Sequence, residues 1–525
     1  MNVARVTSRV SEVLPLLAIV GIGAVLRLYA LPQRGLIYWD EGKFALEGVR
    51  FWAIFRHLAG AHIALNAGKT VGTAKPGHAL LLGLGYLILG NHAFAALAVN
   101  AVAGILSIGA LFLIARRITS PVIALLAALF LAVSQYDAIY ARSVLSESDA
   151  NVIFLCAVLC YIAGYQRGAL GPMVAAAVLG GAAFTVNYRL VVYLGVLVLF
   201  DLVMTIRTDG WAAAARHVGL WAAGGALIPL AWQGVDILTR LNGLVLFRSE
   251  FTGRPMWYLQ EAYYQIHQGK QAHLRFEPVL YFDWYLVRDG WWRLLLLIAG
   301  LATAIWRRGP LLLAAGLVVI PYVIYVFAPF VVPRNLEAAI PFISLLQACA
   351  VGEALNLVTW RAARIAAAAG AALAVAVGGW LTAWHLTDVR SGYADASAYV
   401  AARHRDTLSD SEIVRFYLRG TGGACRAYHI PRRFSELALD RRAGLDLIVM
   451  LRYPRGFGHV VDQHSRLLGR YRLLGAGYRG EDLVHSEQGL APWLDNPVVE
   501  VETIAPMRLP APAGGPPVCR LNILL

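Results

Sequence analysis

Two adjacent carboxylates, Asp40 and Glu41, stand in the stretch LIYWDEGKFALEG, just after the first long apolar run. Lys43 lies in the same stretch, and Lys75 follows in TAKPGH. A positioned carboxylate can take a proton from an attacking hydroxyl, and a lysine ammonium can bind a phosphate group. An acidic pair in the first turn of a helix is also favoured by the helix dipole alone. The stretch thus predicts either acid–base chemistry or an ordinary helix start.

The composition indicates the class of protein that carries these residues. The chain is 58% hydrophobic and 15% charged, and its mean hydropathy is +0.59. Runs of about 20 apolar residues are long enough to cross a bilayer, so we expect a polytopic helical membrane protein. The net charge of +14 comes largely from arginines grouped between apolar runs. Such groups are typical of membrane topology, so we expect no nucleic-acid partner.

The apolar runs predict about eleven transmembrane helices. Arginine groups fall in alternate loops, which the positive-inside rule places in the cytoplasm. The N-terminus is then cytoplasmic and the C-terminus extracytoplasmic. The predicted spans are 13–31, 93–115, 121–140, 150–165, 172–188, 190–206, 218–235, 291–306, 310–328, 336–357 and 365–386.

Two segments outside these spans, and the first span itself, need separate assignments. The run 78–90 is too short to cross a bilayer, so we expect an interfacial or re-entrant helix and a single external loop over 32–92. Residues 236–290 form a second long external loop, rich in Trp and Tyr. The first apolar run contains Arg27 and lacks a clear cleavage site, so it is predicted to remain as an uncleaved span.

The remaining residues, 387–525, predict a small extracytoplasmic α/β domain after a membrane domain of residues 1–386. EIVRFYL, LDLIVMLRY and PVVEVETI look like strands, whereas ADASAYVAARHRDTL and FSELALDRRAG look helical. Cys425 and Cys519 both lie in this domain, where a disulfide is as plausible as two free thiols. The other three cysteines are predicted to be buried apolar residues, and no cysteine spacing indicates a zinc site.

More ionisable residues lie where predicted spans meet the external side. Arg142 and Glu147 flank one such end in YARSVLSESD, and Arg189 and Arg334 close two others. Long charged side chains near helix ends can also extend to the aqueous interface without any functional role. Cations and carboxylates gathered at one surface also suit a phosphate leaving group and a nucleophile that must lose a proton.

The order of these motifs resembles a known family. WDEGKFALEGVRFW, AKPGHALLLGLGYLILG, ARSVLSESDANVIFL and PRNLEAAIPFISLL follow one another as in the GT-C glycosyltransferases of the protein O-mannosyltransferase and aminoarabinose lipid A transferase superfamily. The resemblance extends over about residues 12–385. It implies an Asp-Glu pair and an amphipathic helix in the first external loop, then a Lys-Pro step, a short apolar helix and a long span.

The resemblance also implies roles for the catalytic and phosphate-binding residues. Asp40 matches the catalytic aspartate and would act as the general base, with Glu41 in support. Lys75 matches the lysine that holds the donor phosphate. Arg189 stands where many members have a Lys, and Arg334 where many have an Arg; both would stabilise charge on the departing phosphate.

Three further residues carry roles that are less closely defined by the family pattern. Glu147 matches an acidic residue that orients acceptor or donor, although Asp149 competes for the same position. Arg142 would contact the donor phosphate or pair with Glu147. The Lys-Pro step reads KPGHALL here, without the usual second Pro or aromatic, so His78 is expected to reshape this part of the site.

The implied activity is inverting transfer of one sugar from a polyprenyl-phosphate donor to a glycan, lipid or protein acceptor. It would take place at the outer face of a bacterial-type cytoplasmic membrane. No cofactor is expected, and a divalent metal is possible but not favoured. A transporter or flippase of lipid-linked sugars remains the alternative, although such proteins place charges near the bilayer midplane and often show repeated halves. A polymerase or ligase that moves a whole lipid-linked glycan would share the same base and phosphate site.

Overall fold

The computed structural model is dominated by helices. It describes residues 3–37, 39–58, 75–241, 243, 245–247, 254–267, 289–327, 333–388, 393–394, 397, 401, 407–409, 412–419, 427–429, 445–450, 471–481 and 498–506. The chain divides into two compact units, the first of residues 1–29 and 47–385 and the second of residues 30–46 and 386–525.

The first unit is a helical bundle. Its helices are α1 (Val3–Leu28), α3 (Trp39–Leu58), α4 (Pro76–Leu89), α5 (Ala93–Ile118), α6 (Pro121–Ala132), α7 (Gln135–Ala141), α8 (Glu147–Arg167), α9 (Leu170–Val186), α10 (Val191–Asp209), α11 (Trp211–Leu241), α12 (Tyr258–His267), α13 (Trp291–Arg307), α14 (Pro310–Val326), α15 (Ile340–Asn356) and α16 (Arg361–Ala383). Helix α2 (Leu31–Arg34) and the start of α3 belong to the second unit. Helix α8 packs on α5 and α9, α9 also packs on α11, and α6 packs on α5 and α15. Short 3-10 turns, Tyr188–Leu190 and Pro333–Ala339, lead into α10 and α15.

Each of the predicted spans coincides with one helix, except 121–140, which coincides with the pair α6 and α7. Not every one of these helices is long enough to cross a bilayer by itself. Within the described residues, seven helices are long and apolar enough, or eight if α6 and α7 form one bent span. Helices α9 and α14 are apolar but have only 17 residues each. The multi-pass membrane fold follows from these helices, whereas the count of eleven spans remains a prediction. Helix α4, with 14 residues, is also short for a span.

Helices α6 and α7 are separated by a short break, at which the chain direction bends by 59°. Backbone carbonyls at a helix end need donors, and here buried arginines supply them. Arg27 of α1 donates to the carbonyl of Ala132 over 2.9 Å and to that of Leu131 over 3.1 Å. Arg293 of α13 donates to the carbonyl of Phe130 over 3.1 Å. The bend is therefore held by side chains from two other helices.

The second unit contains α2, the start of α3 and the described strands of the C-terminal region. The strands are β1 (Thr407–Ser409), β2 (Ala427–His429), β3 (Leu445–Met450), β4 (Tyr471–Glu481) and β5 (Val498–Pro506). They form a five-stranded sheet of order β2-β1-β3-β5-β4, in which β1 is parallel to β2 and β3 while β5 is antiparallel to β3 and β4. Strands β3 and β5 coincide with two of the predicted strand segments.

One strand prediction in this region is wrong. EIVRFYL forms helix α17 (Glu412–Leu418), not a strand. Ile413 and Val414 are buried on one turn, Phe416 and Leu418 on the next, and Arg415 pairs with Glu412 across one turn at 2.6 Å. An acidic first residue and an i,i+3 ion pair favour a helix over a strand in so short an apolar segment.

Several predictions concern residues outside the described part of the chain. These are most of the aromatic loop 236–290, the Cys425–Cys519 pair, the predicted helix FSELALDRRAG and most of ADASAYVAARHRDTL. The domain boundary at residue 386 also remains a prediction. Cys156, Cys160 and Cys349 are free thiols in apolar helices. Cys349 is buried as predicted, whereas Cys156 and Cys160 are only partly buried, because they lie on an outer face of α8.

Candidate active site

The Asp-Glu pair begins helix α3, and its two carboxylates differ in their surroundings. Glu41 is fully buried, and its Oε1 accepts from Nη1 of Arg34 over 2.9 Å. Its Oε2 accepts from the backbone N–H of Ile37 over 2.5 Å. Glu41 thus fixes the turn that precedes the helix. Asp40 is buried in the first turn of the same helix, at 7% exposure.

Gly42, the glycine of WDEG, lies against helix α17 within the second unit. A Cβ at this position would lie 2.2 Å from the backbone nitrogen of Ile413 and 2.5 Å from the carbonyl carbon of Glu412. The backbone N–H of Leu36 also donates to the hydroxyl of Tyr417 over 2.8 Å. The segment that carries Asp40 is therefore packed directly onto α17, and only glycine permits that approach.

Lys75 stands at the start of helix α4 in the first unit and is buried at 5% exposure. Its Nζ donates to the hydroxyl of Ser146 over 2.7 Å and lies 5.6 Å from the ring centre of Tyr188. Pro76 fixes the first residue of the helix, and a Cβ on Gly77 would lie 2.7 Å from a methyl of Val186. Close packing of α4 on the end of α9 thus places the ammonium.

Glu147, the first residue of α8, lies among cations. Its Oε1 accepts from Nη1 of Arg189 over 3.3 Å and from Nδ2 of Asn187 over 3.4 Å. Lys75, Arg334, Arg189 and His78 all act electrostatically on this carboxylate. Oε2 of Glu147 is buried without a hydrogen-bond partner among the described residues. Glu337 also lies within electrostatic range of Glu147. Three permanent cations near these two carboxyl groups still leave an excess of positive charge that suits an anionic ligand.

His78 follows Lys75 by one helical turn and faces α8. Its Nδ1 lies 2.6 Å from Oδ2 of Asp149, and both side chains are buried. The two acidic residues that compete for the family position in SESD therefore have different neighbours. Glu147 is bound by Arg189 and Asn187, and Asp149 is bound by the imidazole.

Arg334 belongs to the 3-10 turn Pro333–Ala339, which other helices hold in place. The hydroxyl of Tyr193 on α10 donates to the carbonyl of Asn335 over 2.9 Å. Nδ2 of Asn151 on α8 lies 3.4 Å from Oε1 of Glu337. The turn is therefore attached to α8 and α10, and it brings the Arg334 guanidinium within electrostatic range of Glu147.

Arg142 has partners on the backbone of the first helix. Its Nη1 donates to the carbonyl of Leu26 over 3.0 Å and to that of Tyr29 over 2.9 Å. The side chain is buried at 2% exposure. The Arg142 guanidinium thus supplies hydrogen-bond donors to backbone carbonyls at the C-terminal end of α1. A donor contact of Arg142 remains a prediction.

The structure adds a buried ionic chain that the sequence analysis did not assign. Arg27 forms an ion pair with Asp137, which in turn shares a side-chain hydrogen bond with Glu337. All three side chains are buried at 1% exposure or less. Each of these three residues is an ionisable residue within or at the edge of an apolar run of the sequence. Such residues commonly mark functional or paired positions in membrane helices, and this was the signal that could have identified them.

The sequence was also compared with known proteins. The sequence profile of the family described as "Dolichyl-phosphate-mannose-protein mannosyltransferase" matches residues 73–232, which include Lys75, His78, Arg142, Glu147 and Arg189. No curated protein matches the sequence.

Solved structures match over most of the chain. ArnT from Cupriavidus metallidurans in the apo state matches with a TM-score of 0.64 and 14% identity, over 94% of this chain and 98% of that one. The same enzyme bound to undecaprenyl phosphate matches with a TM-score of 0.62 and 15% identity, over 92% and 97%. The oligosaccharyltransferase from Archaeoglobus fulgidus in the apo form matches with a TM-score of 0.53 and 11% identity, over 84% and 69%.

These findings confirm the resemblance that the motifs predict. At such low identity the structural matches show the fold alone, which is the GT-C fold of ArnT. The family profile adds a match over the part of the sequence that carries most of the phosphate-site residues. Fold and profile together indicate a membrane glycosyltransferase.

Proposed function

We propose that this protein, a GT-C-type membrane glycosyltransferase by fold and profile, transfers a single sugar from a polyprenyl-phosphate donor to a hydroxyl-bearing acceptor in the cell envelope. One observation carries the proposal: Lys75, Arg189 and Arg334 are gathered around buried Glu147 at one end of the helical bundle. The solved ArnT in this fold binds undecaprenyl phosphate. A similar lipid phosphate would supply the anion that this cluster suits.

In the proposed reaction, the cations bind the donor phosphate and stabilise the charge that grows as the bond to the sugar breaks. Arg189 and Lys75 are placed by Asn187, Ser146 and the packing of α4, so little reorganisation is needed when the phosphate departs. Glu147 already binds Arg189 and orients it. His78 and Asp149 together fix the first turn of α4 on α8.

Asp40 is proposed as the general base that accepts the proton of the acceptor hydroxyl while its oxygen attacks the anomeric carbon. Attack opposite the departing phosphate inverts that carbon. Glu41 supports Asp40, because it fixes the turn before α3 through Arg34 and the backbone of Ile37. The support for Asp40 is the family-like WDEG motif and its place in the first turn of a helix that Glu41 and Gly42 hold.

The proposed reaction takes place at the outer face of the cytoplasmic membrane, with the N-terminus inside and the C-terminal α/β domain outside. The arginine groups between spans support this orientation. Donors diffuse in the bilayer, so a site at the end of a bundle can be reached from the lipid phase and from the extracytoplasmic space.

The test is release of free polyprenyl phosphate from purified protein supplied with a panel of polyprenyl-phosphate sugars and an envelope extract. We expect one donor to yield polyprenyl phosphate together with an acceptor that gains one sugar. The same preparation in liposomes should not move the lipid between leaflets. Movement of lipid-linked sugar without release would instead establish the flippase alternative and contradict the proposal.

A further inference from the structure

A cavity with both polar and apolar lining residues lies at the opposite end of the bundle from Glu147. Its volume is about 420 Å³, within the ~300–1,000 Å³ typical of small-molecule sites. The ends of α5, α13 and α15 and the starts of α6, α14 and α16 surround it. Among its lining residues are the polar and charged side chains of Ser120, Thr303, Arg307, Glu353, Asn356 and Arg364.

The charged wall of this cavity is positive. Arg307 pairs with Glu353, from Nη2 to Oε1, over 2.6 Å. Arg364 donates from Nε and Nη2 to the carbonyl of Val358 over 3.0 and 2.9 Å. These two arginines and one glutamate are the charged residues that line the cavity. A guanidinium has five N–H donors, so both arginines retain donors for an additional anion.

The surroundings of the cavity are those of a membrane surface. Trp306 is 75% exposed and Trp360 is 78% exposed, beside the two lining arginines. Tryptophan is enriched where the bilayer meets water. Apolar side chains next to the opening are also exposed, among them Val122 at 47% and Ile365 at 61%. A ligand with a charged head and apolar chains therefore matches both the cavity and its rim.

We propose that this cavity binds the head group of an anionic glycerophospholipid from the leaflet that the arginine-rich loops face. The phosphate contacts Arg307 and Arg364, and the polar head contacts Ser120, Thr303 and Asn356. The acyl chains lie along Val122 and Ile365. Basic pockets between transmembrane helices on the cytoplasmic side are suited to such lipids. The site is separate from the sugar-transfer site and makes no use of its residues.

The test is retention of phosphatidylglycerol by the purified, delipidated protein after reconstitution into nanodiscs of phosphatidylcholine with a minor fraction of phosphatidylglycerol. Native mass spectrometry counts the lipids that remain bound. We expect wild type to keep phosphatidylglycerol in preference to phosphatidylcholine. The double variant Arg307→Gln, Arg364→Gln should keep at least tenfold less.

The matched control is Arg167→Gln with Arg207→Gln, which removes two exposed arginines from helix ends that do not line the cavity. It should retain the lipid as wild type does. Ala368→Phe leaves both lining arginines in place and fills the cavity instead, and it should also lose the lipid. Equal retention by wild type and the Arg307/Arg364 variant would overturn the proposal. Displacement of the lipid by inorganic phosphate alone would assign the cavity to a free anion and overturn it as well.

Discussion

In the proposed reaction, Glu147 is the buried carboxylate that holds the phosphate-binding cations in place. Its Oε1 binds Arg189 and Asn187, while Lys75 is held nearby by Ser146. When no ligand is bound, the carboxylate keeps the surrounding cations in place, because burying cations without a counter-charge would destabilise the fold. When a phosphate binds, the surplus of positive charge is still present to meet it. The balance between Glu147 and the cations is thus the central electrostatic feature of the site.

Lys75→Ala should weaken donor binding more than turnover. A hydrogen bond to a charged group contributes roughly 1.5–3 kcal/mol, so the KM for the polyprenyl-phosphate donor should rise about ten- to hundredfold. The measurement is the dependence of polyprenyl phosphate release on donor concentration. The control is Arg117→Ala, which removes an exposed cation from the C-terminal turn of α5 and should leave the KM for the donor unchanged. An unaltered donor KM in Lys75→Ala would remove this residue from the site.

At the level of helices, two features position ionisable residues. In the second unit, Gly42 packs against α17 at the start of the helix that carries Asp40. In the first unit, the break between α6 and α7 positions Asp137. The glycine allows the start of α3 to touch the backbone of another helix. Asp137 follows this break and forms an ion pair with Arg27, and the Asp137 carboxylate also shares a hydrogen bond with Glu337. Both contacts link residues that lie far apart in the sequence.

Gly42→Ala should lower both the melting temperature and the transfer rate. The added Cβ would meet the backbone of Ile413 at 2.2 Å, and a backbone cannot rotate away as a side chain can. Gly195→Ala is the matched control, because a Cβ there meets nothing within 4 Å in the middle of α10. That substitution should stabilise the helix by roughly 0.5–1 kcal/mol. Equal melting curves for the two variants would contradict the contact with α17.

Arg27→Met should destabilise the bundle strongly. Removing one partner of a buried ion pair costs roughly 3–5 kcal/mol, because Asp137 is left buried with its charge unmatched. Arg116→Met removes an ion pair with Glu12 in which the arginine side chain is 43% exposed. Such surface pairs contribute only ~0–1 kcal/mol. Unfolding in mixed micelles should separate the two variants, and comparable losses would show that the Arg27 pair is not buried.

The sequence predicted the helices well, since long apolar runs between arginine groups leave few other structures in a membrane. It also predicted Lys75, Glu147, Arg189 and Arg334 as members of a shared site. The structure places Lys75, Arg189 and Arg334 within electrostatic range of Glu147, and their roles in the reaction remain predictions. Motif order was enough because each residue lies at the start of a helix, or of a turn leading into one, at the same end of the bundle.

Other features could not be predicted from the sequence. The pairing of Arg27 with Asp137 and the bond from Asp137 to Glu337 depend on how three distant segments pack, and no local pattern encodes such packing. EIVRFYL is too short for its apolar spacing to separate a helix from a strand. In the structure it forms α17, whose packing against the start of α3, in a distant part of the chain, is not encoded by local spacing either.

For the whole molecule, the positive-inside pattern predicts that Gly168 and Gly90 lie on opposite sides of the membrane. Single cysteines at these positions, in a chain whose five native cysteines are replaced, would test this. A membrane-impermeant maleimide added to intact cells should label the cysteine at 90 and reach the one at 168 only after permeabilisation. The reverse pattern would place the Glu147 end of the bundle in the cytoplasm.

The central claim is that Asp40 takes the proton from the acceptor during sugar transfer. Asp40→Asn keeps the size of the side chain and removes its basicity. Donor binding should therefore persist, while release of polyprenyl phosphate falls roughly 10²- to 10⁴-fold. We would measure both in one preparation, by donor binding and by release of polyprenyl phosphate in the presence of acceptor. Retained binding with lost release would support Asp40 as the base. Release near the wild-type rate would contradict the mechanism.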